Sequence, residues 1–156
     1  MRVLLQRVTE ASVFVDGRQI ACIGPGLLAL VGIGRGDDAA IVDRLADKVA
    51  GLRIFPDHNG QMNRDIREHE GSVLSVSQFT LYADIRRGRR PGFSDAALPE
   101  AARPLWKAFG TALRDRGVVV EEGEFGADMK VALTNDGPVT IWLDSAMWGG
   151  GHGGAV

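Results

Sequence analysis

The sequence has one cysteine, Cys22, and three histidines, His58, His69 and His152, in 156 residues. A lone cysteine excludes an intrachain disulfide and any zinc site built on several thiolates. The histidines lie far apart, with no H-x-H or H-x-x-x-H spacing to seat a metal. None has an acidic partner at a fixed offset, so a Ser-His-Asp triad finds little support. Long apolar runs are missing as well, since no stretch reaches the ~18 residues needed to cross a bilayer. The opening MRVLLQRVTE alternates charged and apolar residues where a signal peptide would place a basic segment and then an apolar one. The expectation is a cytoplasmic protein without membrane association, metal or cofactor. An excess of one charge is also absent. The 18 Lys+Arg against 20 Asp+Glu leave a net charge of −2, which argues against broad attachment to a nucleic-acid backbone.

What is present suits one soluble domain. The composition is 45% hydrophobic and 24% charged, and a chain of this length buries a core without disulfide or metal staples. Alternation over residues 2–9 and 11–16 predicts two strands, with Asp16-Gly17 as a hairpin turn and 19–23 as the returning strand. The continuous apolar run 27–33 reads as a strand buried on both faces. Asp37 or Asp38 can cap a helix carrying Ile41, Val42, Leu45, Val49 and Leu52 at helical spacing, and a second helix follows Pro99, with Ala102, Leu105, Trp106, Phe109 and Leu113 on one face and Gly117 as its stop. Strands are expected at 53–55, 72–82, 118–125, 129–134 and 139–144. The result is a mixed α/β chain dominated by sheet.

Two stretches depart from this pattern. Residues 83–98 form a long loop carrying Arg86, Arg87, Arg89 and Arg90, and loops of this length in compact domains are functional or disordered. The guanidiniums suit bidentate contacts to phosphate, although a run of charge also suits a simply solvated loop. The Gly-rich end, residues 146–156, reads as a flexible tail, since it lacks the apolar surface to offset its chain entropy.

Few residues could act as nucleophile or base. Cys22 sits in the apolar Ile20-Ala21-Cys22-Ile23 and reads as a small buried hydrophobe. His58 and His69 read as solvated. Gly32-Ile33-Gly34-Arg35-Gly36 matches no phosphate-loop spacing and has no lysine. Ser77-Gln78-Phe79-Thr80-Leu81 ends a strand just before the Arg-rich loop, a common place for a site. Asn135-Asp136-Gly137-Pro138-Val139-Thr140 is either a plain β-turn or a rigid backbone probe with outward carbonyls.

Taken in order, several segments resemble D-aminoacyl-tRNA deacylases: MRVLLQRV at 1–8, GPGLL at 24–28, LRIF at 52–55, Met62-Asn63, SQFTLY at 77–82, GRRP at 88–91, FGADM at 125–129 and NDGPVT at 135–140. The resemblance covers residues 1–145 without a large gap, and PGFSD at 91–95 is a small departure from the expected PSFSG. It implies a barrel-like mixed β-sheet with two main helices, assembled as a homodimer acting on the acceptor end of aminoacyl-tRNA without a cofactor. It further implies that Ser77, Gln78, Phe79 and Thr80 form the catalytic strand end, with the amides of Phe79 and Thr80 stabilising the oxyanion. Gly137-Pro138 would be cis and would enter the partner's site, where its carbonyls hold the substrate α-ammonium and exclude an L side chain. Arg7 would brace that turn, Met129 would line the pocket, and Arg86, Arg87, Arg89 and Arg90 would meet the tRNA. Water attack would be assisted by the tRNA 2′-OH, with the Thr80 hydroxyl as nucleophile in second place.

Overall fold

The computed structural model describes residues 1–148. The predicted tail from residue 149 onward, including His152, lies outside the described residues. Eight strands and two helices follow one another as β1 (Arg2–Val15), β2 (Arg18–Ile23), β3 (Gly26–Gly32), α1 (Ala39–Gly51), β4 (Phe55–Pro56), β5 (Met62–Arg64), β6 (Ser72–Ser77), α2 (Pro99–Asp115), β7 (Val119–Glu122) and β8 (Lys130–Asp144). The main sheet runs β2-β1-β3-β6-β7, with β8 also paired to β1, while β4 and β5 form a separate small ribbon. Pairs β3/β6 and β6/β7 are parallel and the other main-sheet pairs antiparallel. β2 also approaches β6 and β7, so the sheet curls towards a barrel.

The curl divides the core in two. One cluster packs Val3, Leu5, Leu27, Ala29 and Val31 beneath Leu45 and Val49 of α1 and Trp106, Phe109 and Leu113 of α2. The other, inside the curl, joins Val8, Ala11, Val13, Ile23, Leu28, Leu74 and Val76. β3 contributes to both clusters, which is why its sequence is apolar at successive positions and not only at alternate ones.

β1 is one strand of 14 residues, where two were expected. Its pairing with β8 runs Val8↔Asn135 and then Glu10↔Thr134, so Thr9 is an extra residue on β1. This bulge reverses the side-chain alternation and turns Ala11 and Val13 to the same interior as Val8. The strands expected at 129–134 and 139–144 are likewise one strand, and residues 136–139 bulge from it between the pairs Gln6↔Thr140 and Val8↔Asn135.

Asp38 is the cap of α1, its carboxylate accepting the Ile41 N–H at 2.9 Å. Asp37 instead accepts the Gly34 N–H at 2.6 Å and pairs with the Met1 ammonium. α2 begins at Pro99 and reaches Asp115 with Pro104 within it. Gly117, at φ +81°, closes its end and donates to the Arg114 carbonyl at 2.9 Å.

Four expectations are corrected. Cys22 is exposed, because strand alternation turns Ala21 and Ile23 inward and the residue between them outward. His69 is half-buried and stacked on Phe55 at 4.4 Å, not solvated. The ordered fold extends past residue 145 through a 3-10 turn, Ser145–Trp148, whose Trp148 ring packs on the core beneath Arg44 at 5.2 Å. The segment 72–82 is strand only as far as Ser77, after which Phe79–Tyr82 form a 3-10 turn.

Tertiary contacts explain that last change. Tyr82 lies against Gly34, where an added Cβ would come within 2.4 Å of the phenol oxygen. Arg2 covers the Tyr82 ring at 4.4 Å and donates to the Leu81 carbonyl at 2.8 Å. The glycines that resembled a phosphate loop are thus the seat of this turn. Gly34→Ala is expected to cost about 1–3 kcal/mol through overpacking, read as a lower urea midpoint, while an unchanged midpoint would mean that Tyr82 moves aside freely.

Candidate active site

The candidate residues fall into two groups held by different parts of β1. The first surrounds the bulge in β8. Arg7, about 9% exposed, donates from Nε to the Asp136 carbonyl at 3.0 Å and from Nη1 to the Ile54 carbonyl at 2.6 Å. Its Nε also lies 3.1 Å from the Asp136 carboxylate. A buried guanidinium is tolerated only when its donors are satisfied in this way. Asn135 clips the other side of the bulge. Its Oδ1 accepts the Val139 N–H at 2.8 Å and its Nδ2 donates to the Val139 carbonyl at 3.1 Å.

Between these restraints the Gly137-Pro138 peptide bond is cis and both residues are exposed. Gly137 has φ +142°, and a Cβ there would meet Val139 Cγ2 at 2.7 Å and its backbone nitrogen at 2.9 Å. Only glycine fits this position.

The second group lines a cavity of about 620 Å³ between the C-terminal end of β6, the start of α2 and the segment from Phe125 to Met129. Ser77, Gln78, Phe79 and Met129 are in its wall, together with Phe93, Arg35 and Arg103. Met129 is seated where Gly123 leaves room, since a Cβ on that glycine would lie 2.8 Å from the Met129 sulfur. Phe79 meets Phe93 edge to face at 4.9 Å. Gln78 spans the gap to the turn, its N–H donating to the Val31 carbonyl at 2.7 Å and its side-chain amide to Thr80 Oγ1 at 2.5 Å.

That leaves the N–H groups of Phe79 and Thr80, the first two of the 3-10 turn, with no acceptor among the described residues. The opening amides of any helical turn lack internal partners and attract negative charge. Thr80 itself is outside the cavity wall. The wall contains no histidine among the described residues, and its carboxylate Asp128 is held by Lys130 at 2.9 Å. No three His, Cys, Asp or Glu side chains among the described residues cluster as metal ligands would.

Arg7, Gly137 and Pro138 are not in this cavity wall. The four arginines of the 83–98 loop are also apart from it, although Phe93 and Ala96 of the same loop are in the wall. Asp84 and Gly92 exchange backbone hydrogen bonds of 2.7 and 2.9 Å that close the loop, leaving Arg86, Arg87, Arg89 and Arg90 exposed at its tip. Arg86 grips Asp84 with two bonds of 2.8 Å and holds that carboxyl well below the usual carboxylate range.

The family model for D-Tyr-tRNA(Tyr) deacylase matches residues 4–144. The chain belongs to the D-aminoacyl-tRNA deacylase family. A curated D-aminoacyl-tRNA deacylase of Thermomicrobium roseum is 62% identical over 151 residues, covering 97% of this chain and 98% of that protein. Among solved structures, a c-Myc DNA unwinding element binding protein superposes with a TM-score of 0.87 at 38% identity, over 92% of this chain and 98% of the other. A probable eukaryotic D-amino acid tRNA deacylase, with a TM-score of 0.78 at 18% identity over 91% and 97% of the two chains, shares the fold. The deacylase is therefore a hydrolase acting in tRNA editing. No helix among its described residues is long and apolar enough to cross a membrane.

Sequence reading missed Asn135 as a clip and Arg35 and Arg103 as cavity residues. Asn135 had a signal, because an Asx residue ahead of a turn commonly bonds nearby backbone. The two arginines had none, being isolated charges far apart in the chain.

His69 stands close enough to Arg7, Arg64 and Asp136 to feel their charges. Burial, then Arg64 and Arg7, lower its pKa below the ordinary 6.5, against a smaller opposing effect of Asp136. The unfolded chain therefore binds this proton more readily. The contribution of His69 to stability is complete above pH 6.5 and is lost as pH falls through the lower folded value. Unfolding midpoints measured on both sides of that pH should fall on acidification, and His69→Gln should flatten the trend; equal slopes in both proteins would remove His69 as its source.

Proposed function

We propose that the enzyme cleaves the ester of D-aminoacyl-tRNA and of glycyl-tRNA, including glycine mischarged on alanine tRNA, and spares L-aminoacyl-tRNA. It does so as a homodimer in which the Gly137-Pro138 bulge of one subunit enters the cavity of the other. The observation that carries this reading is the separation of the two groups. The bulge is braced by Arg7 and clipped by Asn135, yet it faces solvent and is absent from the cavity wall of its own chain. A rigid exposed probe and a cavity lined by Ser77, Gln78, Phe79 and Met129 are complementary across a two-fold axis.

In this mechanism the Gly137 and Pro138 carbonyls accept hydrogen bonds from the substrate's α-ammonium. That anchor leaves no space for an L side chain, directs a D side chain outward and is indifferent to glycine, which has no Cβ. A water molecule, assisted by the 2′-OH of the terminal ribose, adds to the ester carbonyl. The N–H groups of Phe79 and Thr80 stabilise the resulting oxyanion, and the ribose 3′-oxygen leaves with a proton. Preorganised donors of this kind each contribute on the order of 3 kcal/mol to an acyl transfer. Gln78 fixes the turn that presents them. A Thr80 nucleophile is disfavoured by its bond to the Gln78 amide, which is no base. The substrate places the reaction in the cytoplasm.

Deacylation assays with D-, L- and glycyl-tRNA are expected to show turnover of the first and third only. Salt-sensitive tRNA binding without ester turnover would instead support a non-catalytic nucleic-acid-binding protein that uses the arginine-rich loop. Thr80→Ala should stay within about tenfold of wild type, whereas a loss on the order of 10⁶, as when a true nucleophile is deleted, would reinstate the hydroxyl. Arg7→Lys keeps the charge but cannot span both carbonyls. The D over L preference should fall about tenfold, the equivalent of one charge-assisted hydrogen bond, and an unchanged preference would exclude bracing of the bulge from chiral selection.

A further inference from the structure

Two arginines of the cavity wall have no part in the chemistry described above. Arg35 follows β3 and Arg103 lies in the second turn of α2, so they approach the cavity from different elements. The Arg35 backbone is pinned by its N–H bond to the Asp95 carbonyl at 3.0 Å, beside the bridge between Gly34 and Ala96. The Arg103 guanidinium lies 5.1 Å over the ring of Phe125, another residue of the wall.

Their charges are uncommitted. Arg2, Arg7, Arg67, Arg86, Arg114 and Arg116 each pair with a carboxylate. Arg35 and Arg103 are exposed, and neither has a carboxylate partner or donates a side-chain hydrogen bond among the described residues. An exposed guanidinium beside a cavity, with no carboxylate or hydrogen-bonded partner and with its backbone pinned or its cation resting on an aromatic face, keeps its N–H donors for bidentate contact with an oxyanion ligand.

A cavity that receives an ester at the end of a polynucleotide must also pass the phosphodiester attached to that terminal nucleoside. We propose that Arg35 and Arg103 bind the phosphodiesters of the last nucleotides of the acceptor strand. This rests on the aminoacyl-tRNA reading and moves the main phosphate contacts from the Arg86 to Arg90 loop to the cavity mouth. In that loop Arg86 is already neutralised by Asp84, and Arg87, Arg89 and Arg90 are outside the wall.

The test compares two substrates, D-aminoacyl-tRNA and the same D-amino acid esterified to adenosine, which carries no phosphate. With tRNA, the double variant R35A/R103A should raise KM about tenfold or more at unchanged kcat. The plot of log kcat/KM against log salt should become shallower by about 0.7 for each phosphate of the single strand that is no longer neutralised, about 1.4 for two. With the adenosine ester the double variant should match wild type. R35K/R103K should recover most of the salt slope, and R87A/R89A/R90A should change it less than R35A/R103A does. Equal losses on both substrates would overturn the proposal, since the arginines would then shape the cavity itself. So would an unchanged tRNA KM, or a larger effect from the loop variant. Failure of wild type to cleave either substrate would overturn the deacylase reading, a result distinct from the others and fatal to both.

Discussion

Arg7 is buried on β1, the strand from which β2, β3 and β8 all take their register, and its guanidinium is shared between the carbonyls of Asp136 and Ile54. Those acceptors come from the β8 bulge and from the segment leading into β4, distant in sequence from Arg7 and from each other. Burying a cation is costly unless its donors are satisfied, so the three segments are held to one arrangement. His69, stacked on Phe55 just behind, adds an uncharged ring where another cation would be repelled. The exposed Gly137-Pro138 bulge is therefore the tip of a buried polar assembly.

The cavity is supported in the same manner from the opposite part of the sheet. Small residues create the space: Gly34 receives Tyr82 and Gly123 receives Met129. Arg2 clamps the 3-10 turn through the Leu81 carbonyl and the Tyr82 ring. What these contacts hold in place is backbone, namely the amides of Phe79 and Thr80, which have no acceptor among the described residues and which the proposed mechanism directs at the oxyanion. In the proposed mechanism the other half of the site is also backbone, the carbonyls of Gly137 and Pro138. A chain with one cysteine and three histidines can support ester hydrolysis on those terms, because an activated ester requires oriented dipoles more than a strong side-chain nucleophile.

Charge has meaning here only at the scale of the site. A whole-chain value of −2 argues against nucleic-acid affinity, yet many arginines are neutralised by neighbouring carboxylates while Arg35 and Arg103 remain free at the cavity. Electrostatic attraction decays over roughly a Debye length of 8–10 Å, so a polyanion near the cavity responds to those two residues more than to the acidic surface elsewhere. The conspicuous run at 86–90 contains at least one arginine already committed to a carboxylate.

Periodicity and turn chemistry were enough to locate both helices, the hairpin at Asp16-Gly17 and the doubly buried strand β3, because each depends on residues close together in sequence. The ordered motifs from residue 1 to 145 also carried the family resemblance and directed attention to Gln78, Phe79, Gly137 and Arg7. Tertiary structure decided the rest. It merged expected strands into β1 and β8 through bulges and converted the end of 72–82 into a 3-10 turn around Tyr82. It also kept the Gly137-Pro138 bulge out of its own chain's cavity and brought Arg35 and Arg103 to the cavity wall. These outcomes rest on contacts between residues many tens of positions apart, whose energies local pattern does not contain.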